Sequence, residues 1–208
     1  MRFDDRVDAG RLLAERLEEL DLPDDLIVLG LPRGGVPVAA EVAAALGAPL
    51  DVLVVRKLGV PGHEELAFGA IAPGGVRVLN DDIVRAGGLT AADIEKVTER
   101  ETAELARRDA EYRGYRPSPE VRDRTVVVVD DGLATGATMA AAVSALRAGG
   151  ASRIVVAVPV GAPSTCAMLA ARADQVVCLH QPQNFRAVGL WYRDFSPTTD
   201  EEVRAAVA

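Results

Sequence analysis

The most informative chemistry of this sequence lies in two adjacent carboxylates and the loop that follows them. Asp130 and Asp131 come directly after Val126–Val129, four β-branched residues typical of a strand buried on both faces. Gly132–Thr138 is small and rich in hydroxyls, and Met139–Leu146 predicts a helix. A loop that opens a helix directs backbone N–H groups into one concavity, where they and the helix dipole attract phosphate. Carboxylates accept hydrogen bonds from vicinal hydroxyls, so the two features together indicate a ribose 5-phosphate.

This stretch resembles the signature of the type I phosphoribosyltransferase family. The signature is an apolar strand, two acidic residues, a short spacer and Thr-Gly-x-Thr, and it matches residues 126–139 without interruption. The resemblance implies that Asp130 and Asp131 are catalytic and hold the ribose 2- and 3-hydroxyls of phosphoribosyl pyrophosphate (PRPP). It also implies that the 5-phosphate of PRPP is bound by Gly132, Leu133, Ala134, Thr135, Gly136, Ala137 and Thr138.

Two other phosphate-binding motifs do not fit this stretch. A Walker-type loop would need Gly-Lys-Ser/Thr, which does not follow. The dinucleotide fingerprint would need its first glycine where the two acids stand. The structural alternative is an ordinary buried strand with a solvated turn.

A second strand, glycine turn and helix occur earlier in the chain. Leu26–Gly30 is a short apolar strand, and Ala39–Leu46 predicts a helix. The alternative to a functional role for the turn between them is a tight connection between strand and helix. The resemblance implies that this turn grips pyrophosphate through backbone N–H groups, often with a non-proline cis peptide. The residues in this role are Arg33, Gly34 and Gly35.

Residues 57–79 lie where the resembled family carries a flap. Asp51–Arg56 predicts the strand before it, and the short apolar pieces Leu66–Ile71 and Val76–Leu79 could pair as a hairpin. The resemblance implies a mobile lid that excludes water while the ribose C1 develops positive charge.

Three charged residues of the flap are candidates for chemistry. The resemblance implies that Lys57 meets the pyrophosphate as a catalytic residue, whereas the alternative is an exposed lysine without a role. Glu65 or Glu64 is a candidate base for a proton of the incoming nucleophile.

Aromatic residues are concentrated near the C-terminus. The resemblance implies that a variable hood covers the base, and the candidate hood spans residues 180–208. Phe185, Trp191 or Tyr192 could stack on a planar heterocycle. The alternative is that these rings close the end of the hydrophobic core.

The order of elements predicts the fold class. After the phosphate loop, Arg153–Val158 and Gln175–Leu179 predict strands on either side of a helix at Ser164–Ala171. Val7–Leu20 and the capped segment from Thr90 to about Tyr112 predict further helices. We therefore expect an α/β fold with a doubly wound parallel sheet flanked by helices, in one domain over 1–208, with a flap and a small C-terminal hood.

Composition limits the class of protein. The chain has 208 residues, 49% of them apolar, which is enough for one substantial core. Its net charge of −8 disfavours nucleic-acid binding, which needs clustered cations. With no run of 18 apolar residues and no signal-like N-terminus, we expect no membrane span and a cytoplasmic location. Cys166 and Cys178 lack metal-ligand spacing and predict buried thiols.

The negative charge poses a problem for binding an anion such as PRPP. Backbone dipoles, a few placed cations and Mg²⁺ must supply the attraction. We expect Mg²⁺ to be held mainly through PRPP, and no residue stands out as a direct ligand.

Together these patterns predict an Mg²⁺-dependent transferase that moves the 5-phosphoribosyl group of PRPP to a nitrogenous base and releases pyrophosphate. The acceptor would be a small heterocyclic base whose identity stays open. The hypoxanthine-guanine enzymes carry aspartate where this chain has Ala134, and the adenine enzymes have Leu-Ala-Thr-Gly as here but a different tail.

The alternative is a non-enzymatic PRPP sensor of the same fold. Such a regulator would need a basic face or an added DNA-binding segment, and neither is visible. The sequence is compatible with a homo-oligomer but does not reveal the subunit count.

Overall fold

The computed structural model describes residues 1–208, with eight strands in two sheets, seven α-helices and one 3₁₀ helix. No helix has both the length and the apolar composition that crossing a membrane requires. The strands are β1 (Ile27–Gly30), β2 (Leu50–Val52), β3 (Arg56–Val60), β4 (His63–Ala72), β5 (Val76–Leu79), β6 (Thr125–Val129), β7 (Arg153–Val160) and β8 (Gln175–His180). The helices are α1 (Arg6–Glu18), α2 (Gly35–Leu46), α3 (Asp81–Ala86), α4 (Ala91–Arg113), α5 (Ala137–Ala148), α6 (Pro163–Ala170) and α7 (Asp200–Ala206), and the 3₁₀ helix spans Val188–Trp191.

The central sheet is parallel throughout and has the strand order β2-β1-β6-β7-β8. β1 and β6 are neighbours, and their last residues, Gly30 and Val129, pair in register. The chain leaves β1 toward one edge of the sheet and β6 toward the other, which makes these two strand ends a topological switch point. Open parallel sheets bind ligands at such a point. The predicted doubly wound α/β fold is confirmed.

The four valines of β6 are fully buried because helices cover both faces of the sheet. Val126 and Val128 pack in one cluster with residues of α5 and α6. Val127 and Val129 pack on the other face with residues of α1 and α2. Alternate residues of a strand point to opposite faces, so a strand covered on both sides needs an unbroken apolar run.

β3, β4 and β5 form a separate antiparallel sheet over residues 56–79, the region in which the sequence predicts a flap. The predicted hairpin is confirmed as β4 and β5. The sequence did not predict β3, which adds a third strand. This flap sheet packs against α4 through a cluster that includes Leu58, Phe68 and Leu105.

One predicted strand is wrong. The sequence predicted a continuous strand over Asp51–Arg56, but β2 ends at Val52 and Arg56 already belongs to β3. Leu53 still donates its N–H to the Gly30 carbonyl at 3.0 Å, and the chain then crosses from the central sheet to the flap sheet. An apolar run shows that a segment is buried, but it does not show where the segment changes sheet.

The C-terminal tail packs against the start of the chain and against the flap side of the molecule. The Phe3 N–H donates to the Trp191 carbonyl at 2.8 Å, which attaches the 3₁₀ helix to the N-terminus. α7 contributes Val203 and Val207 to the cluster shared by α4 and the flap sheet. Part of the segment 180–208, for which a hood was predicted, therefore closes the core.

Candidate active site

The turn after β1 and the turn after β6 meet at the switch point, and glycine is required where they touch. A Cβ atom on Gly35 would lie 2.6 Å from the Val129 carbonyl oxygen and 2.9 Å from the Cα of Asp130. A Cβ atom on Gly34 would overlap the carboxylate oxygen Oδ2 of Asp131. The glycines predicted to bind pyrophosphate thus allow the first turn to lie against the two acids.

The two acids at the end of β6 are held by defined hydrogen bonds. Oδ2 of Asp131 accepts from Nε of Arg6 at 3.0 Å, and the Asp131 side chain is 14% exposed. Oδ1 of Asp130 accepts from the Asp131 N–H at 2.8 Å. The Tyr192 hydroxyl donates to the Asp131 carbonyl at 2.6 Å. These contacts order the side chains and backbone of the pair before any ligand binds.

Burial raises the pKa of both acids, and Arg6 distinguishes one from the other. Burial raises the pKa of Asp130 well above the ordinary value, and the neighbouring charge of Asp131 raises it further. Burial also raises the pKa of Asp131, but the Arg6 guanidinium opposes this effect. The pKa of the Tyr192 hydroxyl is raised chiefly by burial, so this group remains a neutral donor. Asp131 is therefore the acid of the pair that has a cationic partner.

The loop after the acids is anchored to β7 and α6. The Leu133 N–H donates to the Val160 carbonyl at 2.9 Å, and the Thr165 hydroxyl donates to the Ala134 carbonyl at 2.6 Å. Gly136 has a φ of +73°, and a Cβ atom there would lie 2.5 Å from Cγ2 of Thr165. Backbone conformation and space both favour glycine at this position.

Several N–H groups of the loop remain free to bind an anion. α5 begins at Ala137 without a side-chain cap, so the positive end of its dipole is not neutralised by the protein. Converging N–H groups at a helix start form a phosphate site. The N–H groups of Ala134, Thr135, Gly136, Thr138 and Met139 have no acceptor in the protein, whereas the Ala137 N–H donates to the Thr135 hydroxyl at 3.4 Å.

The turn after β1 has one feature that differs from expectation. The peptide bond between Pro32 and Arg33 is cis, as the family resemblance implied. Gly35, however, donates its N–H to the Leu31 carbonyl at 3.0 Å, which leaves the N–H groups of Arg33 and Gly34 without a backbone acceptor. The Arg33 guanidinium lies 3.8 Å from the carboxylate of Asp200 on α7. Gly35 is required for close packing, whereas the other two residues offer donors.

Lys57 and Glu65 of the flap sheet line one cleft of about 760 Å³. Ala137, the first residue of α5, also lines this cleft, so the cleft extends to the helix that follows the loop after the acids. Neither charged side chain contacts the acid pair. Arg56 lies beside Lys57 but pairs with Glu101 of α4 at 2.7 Å, because adjacent strand residues point to opposite faces.

The two glutamates of the flap differ in their surroundings. Glu64 accepts a hydrogen bond from the Gly62 N–H at 3.2 Å. Hydrogen bonds from the Glu64 and Gly62 backbone N–H groups lower the Glu64 pKa. Glu65 faces the cleft that it shares with Lys57. Position therefore favours Glu65 over Glu64 as the residue that can meet a ligand.

The three aromatic residues predicted to stack on a base lie in one cluster, in which only Phe185 and Trp191 keep part of their surface exposed. Tyr192 is 1% exposed and reaches the acid pair through its hydroxyl, so it offers no ring face to a ligand. Trp191 packs against His180 edge-on, with ring centroids 4.9 Å apart. Phe185 is half-buried against the cluster that contains Phe3.

Sequence reasoning missed three residues at this site. Arg6 binds Asp131 although 125 positions separate them. Phe195 stacks on the Arg6 guanidinium at 4.0 Å, and Asp200 lies beside Arg33. No local pattern marks these residues. The sequence contained one general signal for Arg6: a chain with net charge −8 needs cations at specific positions if it is to bind an anion.

Outside the acid pair, the protein offers no ready metal cage. No group of three or more His, Cys, Asp or Glu side chains is arranged to hold a metal ion. A hard cation such as Mg²⁺ prefers oxygen ligands and uses substrate phosphates together with few protein groups.

Comparisons with known proteins identify the family. The family model described as phosphoribosyl transferase domain matches residues 6–192. The protein named "Putative phosphoribosyl transferase Rv0571c" from Mycobacterium tuberculosis (strain ATCC 25618 / H37Rv) is 56% identical over 203 residues, which are 98% of this chain and 46% of that protein. The chain thus spans about half the length of the curated relatives that it matches.

Two solved structures have the same fold. The crystal structure of TT1426 from Thermus thermophilus is 49% identical, with a TM-score of 0.92 over 100% of this chain and 98% of that one. AQ2163 from Aquifex aeolicus is 12% identical, with a TM-score of 0.51 over 98% and 84% of the two chains, and shows the fold alone. Because the family model covers most of the chain, the resemblance drawn from the sequence is confirmed, and the chain belongs to the phosphoribosyl transferase family.

Proposed function

We propose that the chain transfers the 5-phosphoribosyl group of PRPP to a nitrogenous base and releases pyrophosphate. The observation that carries this proposal is the position of two largely buried carboxylates, Asp130 and Asp131, at the end of β6, where a five-residue loop leads to the uncapped start of α5. A ligand with vicinal hydroxyls at one end and a phosphate at the other satisfies both features. Membership of the family supports a transferase of this kind.

Each end of PRPP has its own binding groups in this proposal. Asp130 and Asp131 accept hydrogen bonds from the 2- and 3-hydroxyls of the ribose. The free N–H groups of Ala134, Thr135, Gly136 and Thr138 bind the 5-phosphate. Arg33 and Gly34 offer backbone donors to the pyrophosphate, and the Arg33 side chain exchanges Asp200 for this anion. The contact with Asp200 is half-exposed and long, so its loss costs little.

The reaction exchanges one bond at the ribose C1 for another. A nitrogen atom of the acceptor attacks C1, and the bond from C1 to pyrophosphate breaks with its electron pair on the leaving oxygen. In the transition state the ring is oxocarbenium-like, and the carboxylates near the ribose stabilise its positive charge. Most of the acceleration comes from holding both reactants in line.

The flap supplies the remaining groups. Closure of the flap sheet over the ligand would bring Lys57 to the pyrophosphate and Glu65 to the proton that the acceptor nitrogen loses. Both side chains are exposed in the open cleft, which leaves them free to move with the flap. Bound Mg²⁺ would add positive charge at the pyrophosphate, with ligands drawn mainly from PRPP.

The acceptor is proposed to be a planar heterocyclic base. Phe185 and Trp191 keep part of their surfaces accessible near the tail and are the stacking candidates. Tyr192 is assigned to support the acid pair, because its ring is buried and its hydroxyl is engaged.

An assay of pyrophosphate release tests this function. The protein is incubated with PRPP, Mg²⁺ and a panel of purines, pyrimidines and amines, and PRPP binding is measured in parallel by calorimetry. We expect pyrophosphate release with a compatible base, together with a new nucleotide in the mass spectrum. Binding without release for any acceptor would indicate the PRPP sensor instead, and absence of PRPP binding would overturn both.

A further inference from the structure

One guanidinium joins the acid pair to both ends of the chain. Arg6, at the start of α1, donates from Nε to Oδ2 of Asp131 at 3.0 Å and from Nη1 to the Ser196 carbonyl at 2.7 Å. Its guanidinium carbon lies 4.0 Å from the centre of the Phe195 ring. The Arg6 side chain is 12% exposed, so water competes weakly for these contacts.

The contact with Asp131 leaves half of the carboxylate unused. Oδ2 is held by Arg6, whereas Oδ1 accepts no hydrogen bond from any other residue. Arg6 is also the only cation paired with either acid, since Asp130 has no ion pair. A carboxylate gripped through one oxygen cannot rotate freely and presents its other oxygen in a fixed direction.

We propose that Arg6 is a positioning residue for ribose binding, which orients the Asp131 carboxylate with Oδ1 free for a ribose hydroxyl and ties it to the tail at Phe195 and Ser196. This inference rests on the proposed function, because it assigns the ribose to Asp131. Its consequence is that the tail and the ribose site are coupled: a ligand on Asp131 stabilises the tail, and a displaced tail weakens the ligand.

Arginine is better suited than lysine to this position. Arg6 uses two separate N–H groups and a flat face, which together fix three partners in one geometry. A lysine ammonium is a point charge and can reach Asp131 or the tail, but it lacks the planar fork and the stacking face. Arg6→Lys should therefore recover only part of the function that Arg6→Gln loses.

Calorimetry of PRPP binding tests the effect on the ribose site. The variants are Arg6→Gln and Arg6→Lys, with Arg11→Gln as the matched control, because Arg11 lies on the same helix and pairs with Glu41 and not with either acid. Loss of a hydrogen bond to a charged group should weaken PRPP binding about tenfold in Arg6→Gln. Arg6→Lys should lie between this variant and the parent, and Arg11→Gln should equal the parent.

A double-mutant cycle separates positioning from a general loss of structure. If Arg6 acts through Asp131, then Arg6→Gln should weaken PRPP binding less than about twofold when Asp131→Asn is already present. An unchanged tenfold loss in that background would overturn the inference. If Arg6→Gln does not fold, Phe195→Leu removes the ring that stacks on Arg6 but keeps an apolar side chain against Tyr192, and it should weaken binding about threefold, again only when Asp131 is intact.

The single tryptophan reports on the tail. Trp191 lies next to Tyr192, so a displaced tail should change its fluorescence. We expect Arg6→Gln to shift the emission of the free protein, and PRPP to shift the emission of the parent but not that of Arg6→Gln. If the parent binds PRPP and all Arg6 and Arg11 variants behave alike, the inference fails while the proposed function stands. If the parent does not bind PRPP, the proposed function itself fails.

Discussion

Gly34 and Asp131 follow different strands, yet a Cβ atom on Gly34 would overlap the Asp131 carboxylate. The Gly34 backbone has φ −61° and ψ −29°, a conformation that any residue can adopt. Space, and not backbone conformation, therefore demands glycine at position 34. The proposed pyrophosphate turn and the proposed ribose acid are fitted to each other with no room for a methyl group.

Gly34→Ala should weaken PRPP binding by at least about tenfold, or ~1.4 kcal/mol, because the new methyl group must push the Asp131 carboxylate away from Arg6. Calorimetry measures this change. Gly149→Ala at the end of α5 is the control, since its backbone is also right-handed helical and its nearest neighbour would lie at 3.2 Å. Equal affinities for Gly34→Ala and the parent would contradict the assignment of Asp131.

Replacing both acids should reduce PRPP affinity with little loss of fold. Asp130→Asn with Asp131→Asn removes two charged acceptors, so we expect a loss of about 100-fold. The control, Asp24→Asn with Asp25→Asn, makes the same change of charge at an exposed pair before β1. PRPP affinity is measured by calorimetry, and stability by thermal unfolding, for both proteins. Unchanged PRPP affinity in the first protein would refute the ribose site.

Asp130→Asn alone should stabilise the protein near neutral pH. Burial raises the pKa of Asp130 above its ordinary value of 3.8, so the folded protein favours the protonated carboxyl. The stability that this preference contributes is complete below pH 3.8 and is lost as the pH rises through the folded-state pKa. Asparagine does not ionise, so the variant does not lose this stability at higher pH. Its side-chain oxygen can still accept the hydrogen bond from the Asp131 N–H. The gain should be present at pH 8 and vanish toward pH 4.

Calorimetric unfolding from pH 4 to pH 8 measures this difference. Asp25→Asn is the control, because Asp25 is exposed, and it should show no such trend. A lower midpoint for Asp130→Asn than for the parent at pH 8 would mean that the Asp130 charge is stabilised in the folded protein, against the prediction.

Gly136→Val should abolish binding of ribose 5-phosphate. The valine would need the left-handed φ of +73° and would meet Thr165, so the loop must rearrange and its N–H groups lose their common direction. Gly47→Val is the control for backbone strain, since Gly47 has a φ of +61° with nothing within 4 Å of its Cβ position. Ribose 5-phosphate binding is measured by calorimetry for both variants. A phosphate that still binds to Gly136→Val would argue against the anion site.

The flap and the tail show where local patterns stop being informative. β4 and β5 were predictable because apolar residues and a glycine turn lie next to each other in sequence. β3 was not, since Asp51–Arg56 has the same apolar character as one continuous strand and the change of sheet occurs inside it. Likewise, an aromatic-rich tail is compatible with a stacking surface or a closed core, and only the packing of Tyr192 against Phe3 decides for burial at that position.

The sequence by itself determined the fold class, the acid pair at the end of β6, the proposed phosphate loop and the glycine turn after β1. Each of these depends on residues within a few positions of one another, because strand burial, helix starts and tight turns are local properties. The tertiary structure alone decided that Arg6 holds Asp131, that Tyr192 supports its carbonyl, and that Asp200 faces Arg33. These contacts join segments far apart in the chain, and their geometry is set by how helices and tail pack on the sheet, for which a single sequence carries no periodic signal.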